Sequence, residues 1–131
     1  GGAMIGETME QMSRHVEFLG YEVTRDDKLV KARHTRKYNL IMKPLAGGVL
    51  FTCIFSGSEN AHGDRAGYLE LVNALNNRAG VARFYADKDS DLFVEAWHPD
   101  HYERGEFGEF MESWDRDCLL LAQSGAERFL L

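Results

Sequence analysis

Between residues 21 and 55 the chain alternates apolar and polar side chains in short runs, and only turn-length gaps separate them. Parallel neighbours need a crossover of a dozen residues or more, so runs this close together pair antiparallel. Tyr21-Glu22-Val23-Thr24 alternates, and Asp26-Asp27 follows as a turn signal. Residues 29–35 set Val30, Ala32 and His34 against Lys31, Arg33 and Thr35. Tyr38, Leu40 and Met42 then oppose Asn39, Ile41 and Lys43. Residues 44–48 turn the chain, and 49–55 is apolar except for Thr52, the pattern of a central strand covered on at least one face.

Helical periodicity flanks this sheet region. Ile5, Met9, Met12, Val16 and Leu19 form one stripe, and Gly20 stands where a C-terminal cap belongs, which predicts a helix over 5–19. Residues 56–63 read as a polar loop, and Asp64 can cap the helix that follows. Its inner stripe is Leu69, Val72, Leu75, Asn76 and Ala79, and Gly80 ends it. Strands over 81–86 and 92–98 share the acidic turn 87–91, and Pro99-Asp100 stops the second. Phe107, Phe110, Met111, Trp114, Cys118, Leu121 and Ala122 mark a last helix. The order α-β-β-β-α-β-β-α describes an α+β fold with a single antiparallel sheet. Residues 1–3 (Gly1-Gly2-Ala3) read as a cloning scar ahead of a start at Met4, residues 4–125 as one domain, and 126–131 as a C-terminal tail.

A chain of 131 residues, 44% hydrophobic and 27% charged, matches the ordinary globular mix and excludes disordered and transmembrane classes. Ile5-Gly6-Glu7-Thr8 has neither the basic region nor the apolar core expected of a signal peptide, and Cys53 and Cys118, 65 positions apart with apolar neighbours, read as free thiols of a reducing cytoplasm. The net charge of −6 argues against general nucleic-acid binding. Charge is nevertheless uneven: residues 25–37 carry a net +4 and residues 87–131 a net −8.

The polar clusters do not assemble a catalytic motif. Asp87, Asp89 and Asp91 have the spacing that opens a calcium loop, but Leu92 stands where glycine is needed and His98 where the bidentate glutamate belongs. His98, Asp100 and His101 sit on a proline loop, and His62 with Asp64 at the end of the polar loop, without a cysteine knuckle or a helical His pair. They support an alternative reading, a small-ligand or metal-dependent enzyme using His62/Asp64 and His98/His101. No serine has a nucleophile elbow around it and no glycine run forms a phosphate loop. The aromatics are more informative. Phe51, Phe55, Phe84, Tyr85, Phe93, Trp97, Phe110 and Trp114 exceed what one face of a small sheet needs, so Phe93, Trp97, Phe110 and Trp114 are the candidate partner or dimer surface.

Family-like spacing overlies these readings. Asn73 and Asn76 on a helix, then Arg83 and Asp87, then Leu92 and Val94, together with Leu19-Gly20-Tyr21 and Val23, resemble the YbjN-like family, labelled as bacterial sensory transduction regulators. The resemblance spans residues 9–122. It implies a fold like that of class I type III secretion chaperones and a homodimer without cofactor or catalytic residues. The function it implies is chaperone-like or regulatory binding of another protein in the cytoplasm, with no nucleic acid and no membrane. The polar loop 56–63 and the acidic last helix depart from the family pattern.

Overall fold

The computed structural model describes residues 5–131, and the expected scar at 1–3 and the start at Met4 lie outside them. Along the chain run α1 (Glu7–Phe18), β1 (Glu22–Asp26), β2 (Leu29–Arg33), β3 (Leu40–Leu45) and β4 (Gly48–Phe55). Then follow α2 (Glu59–Gly63), α3 (Arg65–Arg78), β5 (Arg83–Ala86), β6 (Leu92–Pro99) and α4 (Arg104–Ala122), with a 3-10 turn at Ala126–Arg128. The six strands make one antiparallel sheet in the order β1-β2-β3-β4-β6-β5, the α+β class expected. Four strands rather than three precede the central helices, because the short run at 21–24 completes a hairpin of its own. The polar segment 56–63 also differs from expectation, since Glu59–Gly63 winds into a single helical turn.

Contacts gather the described residues into two compact units, 5–53 with Trp97–Phe110, and Ile54–Ala96 with Met111–Leu131. The first is a meander of hairpins. β1 and β2 pair from Glu22↔Arg33 to Asp26↔Leu29, and Asp27 takes the left-handed turn conformation at φ 57°. Between β3 and β4 only Ala46 (φ 49°) and Gly47 (φ 76°) remain, the two positive φ angles of a type I′ hairpin turn. That two-residue turn is shorter than the predicted one, so Pro44 lies inside β3. β2 pairs with β3 only as far as Met42, so no β2 partner needs the missing N–H of Pro44. Met42 and Phe51 are cross-strand partners and both are buried. Phe107 and Phe110 of α4 lie 5.9 and 5.0 Å from the Phe51 ring, and Met9, Met12 and Val16 of α1 are buried as their spacing requires.

The second unit is held by polar side chains that reach backbone. Asp64 caps α3, its Oδ1 accepting the Gly67 N–H at 3.0 Å. Tyr68 faces the core, whereas Leu69, expected there, is exposed: the stripe through Val72 and Leu75 is rotated by one residue. The Tyr68 hydroxyl donates to the Ser90 carbonyl at 2.9 Å, and burial pushes its pKa up to about 12. The segment expected as a tail is packed. Phe129 is buried 5.2 Å from the Tyr68 ring, and the Leu131 N–H donates to the Ser56 carbonyl at 3.0 Å.

Candidate binding surface

The pleat of β6 sends Leu92, Val94, Ala96 and His98 to one face and Phe93, Glu95 and Trp97 to the other. In the first unit Trp97 stands on the face opposite Phe51 and is 45% exposed. Its indole N–H donates to the Leu45 carbonyl at 2.7 Å, and the ring lies across Gly48, where a Cβ would collide with it. The ring is therefore flat, fixed and wet, with exposed Leu45 and Lys43 beside it on the same strand face. In the second unit the Phe93 ring stacks on that of Tyr85, 5.0 Å between centroids and 2° between planes. Arg83 donates twice to Glu95 Oε1, at 3.0 and 2.7 Å, on the same face. Burial first, and the Glu95 carboxylate second, raise the Tyr85 pKa.

Phe110 and Trp114 do not belong to this face. Phe110 is half-buried, edge-on to His98 at 4.9 Å within the first unit. Trp114 is 1% exposed and is core in the second unit, so it offers a partner nothing while the helix stays docked. The residues of the enzyme alternative are also dispersed in role. His98 is buried, with Nδ1 2.9 Å from the Pro99 carbonyl, and His101 pairs with Glu106 at 3.3 Å on the surface. His62 is exposed at the end of α2 and Asp64 serves as a helix cap. Among the described residues no group of three or more His, Cys, Asp or Glu side chains is placed to hold a metal ion. Asp87 accepts the N–H groups of Asp89 and Asp91 and so makes a turn, not a calcium loop. Cys53 and Cys118 form no disulfide, and Cys53 is buried and donates to the Asn39 carbonyl.

Several motif residues hold the fold together. Asn76 takes both backbone groups of Phe84, accepting its N–H and donating to its carbonyl at 2.8 Å each, while Asn73 lies exposed. Within 25–37, Arg25 is clamped by Glu10 and Glu17, and those hydrogen bonds raise its pKa and lower that of Glu10. Lys28, Lys31, Arg33 and Arg36 are exposed.

Two features escaped the sequence. Buried Asp117 accepts the N–H groups of Gly80, Val81 and Ala82 at 2.8–3.1 Å, closing three consecutive amides where no strand partner reaches them. In the first unit, a recess of about 390 Å³ opens between α1 and the start of α4, lined by Gln11, Arg14, His15, Phe18, Tyr102 and Arg104. His15 Nδ1 lies 2.9 Å from the Tyr102 hydroxyl. Burial, and then the Arg104 guanidinium, hold the His15 pKa below its ordinary value. No helix among the described residues is long and apolar enough to cross a membrane.

No family model and no curated relative matches the chain. Solved structures do match it. YbjN from E. coli, a proposed transcription regulator, superposes with a TM-score of 0.71 at 13% identity, over 94% of this chain and 95% of its own. An uncharacterized protein from Methanothermobacter thermautotrophicus gives 0.66 at 18% identity, over 93% and 99%. A chain of the heterodimeric ExoU–SpcU complex from the type III secretion system of Pseudomonas aeruginosa gives 0.61 at 15% identity, over 86% and 95%. The fold is thus YbjN-like and resembles that of a type III secretion chaperone.

Proposed function

We propose that the chain is a non-enzymatic, cytoplasmic protein-binding domain, chaperone-like or regulatory, that works as a homodimer, with residues 4–125 as its single domain and the segment 126–131 packed against it. The observation behind this reading is Trp97. A large aromatic pinned by its own N–H to the Leu45 carbonyl, and left nearly half in water, has already lost the rotamer freedom that binding would otherwise cost it. Trp is also the residue type most enriched among the energetic anchors of protein interfaces. The likeness to a chain of a heterodimeric secretion complex supports a protein as the partner. A closed two-fold contact through this face would bury on the order of 1,200–2,000 Å². Affinity capture from the source cells, with the wild-type chain beside Trp97→Glu, tests the partner half of this reading. A protein retained by the wild type and lost by the variant is expected, and identical captures by both would contradict it.

A further inference from the structure

We propose that the recess between α1 and the start of α4 binds an acidic–apolar segment of a partner protein, Arg14 and Arg104 taking its carboxylates and Phe18 the apolar side chain beside them. This assignment rests on the protein-binding reading and gives it a ligand chemistry. The first observation is Phe18, the last residue of α1, which is 74% exposed. The Arg104 guanidinium lies 5.7 Å from the ring centroid and covers one side of it, leaving apolar surface open to a ligand.

The second observation is charge. In a chain of net −6, the six lining residues include two arginines and no carboxylate. Among the described residues no carboxylate pairs with Arg104. Arg14 has only Glu10 at 3.4 Å, and Glu10 is already gripped by Arg25 at 2.8 and 2.9 Å, so the Arg14 side chain stays 74% exposed. A basic segment would meet two like charges here, and a wholly apolar one would leave both guanidiniums to be desolvated unpaired. An acidic segment pairs them, and planar guanidinium suits a carboxylate bidentately. Tyr102 and Gln11 supply neutral hydrogen-bonding groups for its backbone. The occupant is thus a carboxylate next to an apolar side chain, and a recess of this size takes two or three residues.

The test uses the full chain labelled with ¹⁵N and the peptide Ac-Glu-Phe-Glu-Leu-amide. It is run beside the glutamine and lysine analogues of that peptide, and beside inorganic phosphate. The acidic peptide is expected to shift amides confined to 11–18 and 102–104. The glutamine analogue should bind at least about tenfold more weakly and the lysine analogue should not bind. The double variant Arg14→Glu/Arg104→Glu, altered only at exposed positions, should lose the acidic peptide about tenfold or more with an unchanged melting curve. Equal binding of the glutamine analogue, shifts centred elsewhere, or the same shifts with phosphate alone would each overturn the assignment. Light scattering on the same samples separates the two readings. A dimer indifferent to the acidic peptide removes the recess assignment alone, and a monomer that binds the peptide removes the dimer alone.

Discussion

Arg104 and Asp117 are charged residues of the same helix, α4, and the two units use them in opposite ways. In the second unit Asp117 turns inward and closes the amides of Gly80, Val81 and Ala82. Asn76 does the same for Phe84, and Tyr68 for Ser90. In the first unit Arg104 stays at the surface over Phe18, and Trp97 presents an open ring. The difference follows from backbone. The hairpins of the first unit satisfy most of their N–H and C=O groups through strand ladders and a two-residue turn, and side chains accept backbone N–H groups chiefly in the connection between β2 and β3, where Asn39 takes that of His34 and His34 those of Arg36 and Lys37. The second unit contains irregular stretches at 80–82, around Ser90 and at 126–131, and each requires a side-chain partner. Side chains thus serve backbone mainly where it leaves helix or strand, and the exposed Phe18 and Trp97 stand on regular elements.

The largest effect should come from the interior of the second unit. Trp114→Ala is expected to cost roughly 3–5 kcal/mol, the range for a buried aromatic truncated to a methyl, read as a shift in denaturation midpoint. An unchanged midpoint would mean that the second half of α4 contributes little packing. Asp117→Ala comes next. It orphans three amides at once, and about 3 kcal/mol should be lost by the same measurement. Hydrogen exchange at Gly80, Val81 and Ala82 should rise with it, and protection there as in the wild type would break the contrast between the units.

How much of this was legible in the sequence depended on range. Strict alternation at 29–35 and the nearly unbroken apolar run at 49–55 name their strands, because side-chain period alone decides them. Tyr68 and Leu69 were harder to separate, since adjacent helical positions differ by only about 100° and α3 has weak amphipathicity. Asp117 looked like one more acid on an acidic helix, and nothing local shows that a carboxylate faces three amides some 35 positions earlier. The recess joins His15 to Tyr102 across 87 positions, so no spacing rule could have announced it. Trp97 and Trp114 looked alike as aromatics, and only the docking of α4 separates a surface anchor from a core residue.

Smaller effects sharpen the contrast from the side of the first unit. Phe18→Ala should change stability by no more than about 0.5 kcal/mol, because its ring is mostly in water already, and a loss several times larger would mean that it is structural. The pH response should be modest and of one sign. His15 has a folded-state pKa below its ordinary 6.5, so the unfolded chain binds the proton more readily. Its contribution is fully present above about pH 6.5 and is lost as pH falls towards the depressed folded value. The denaturation midpoint should drop between pH 7.5 and 5.5, and His15→Gln should flatten that drop. Glu10, also depressed, acts in the same direction below its ordinary 4.5 and leaves this window clear. A midpoint that rises on acidification would contradict the environment assigned to His15.

The most direct measurement of the central claim is the mass of the chain in solution at micromolar concentration. One chain weighs 14.9 kDa. Light scattering should return about 30 kDa for the wild type, as expected for closed two-fold association, and Trp97→Glu should move it towards the monomer value. A wild-type mass of about 15 kDa would contradict the homodimer and leave the exposed Trp97 face without a second copy to meet.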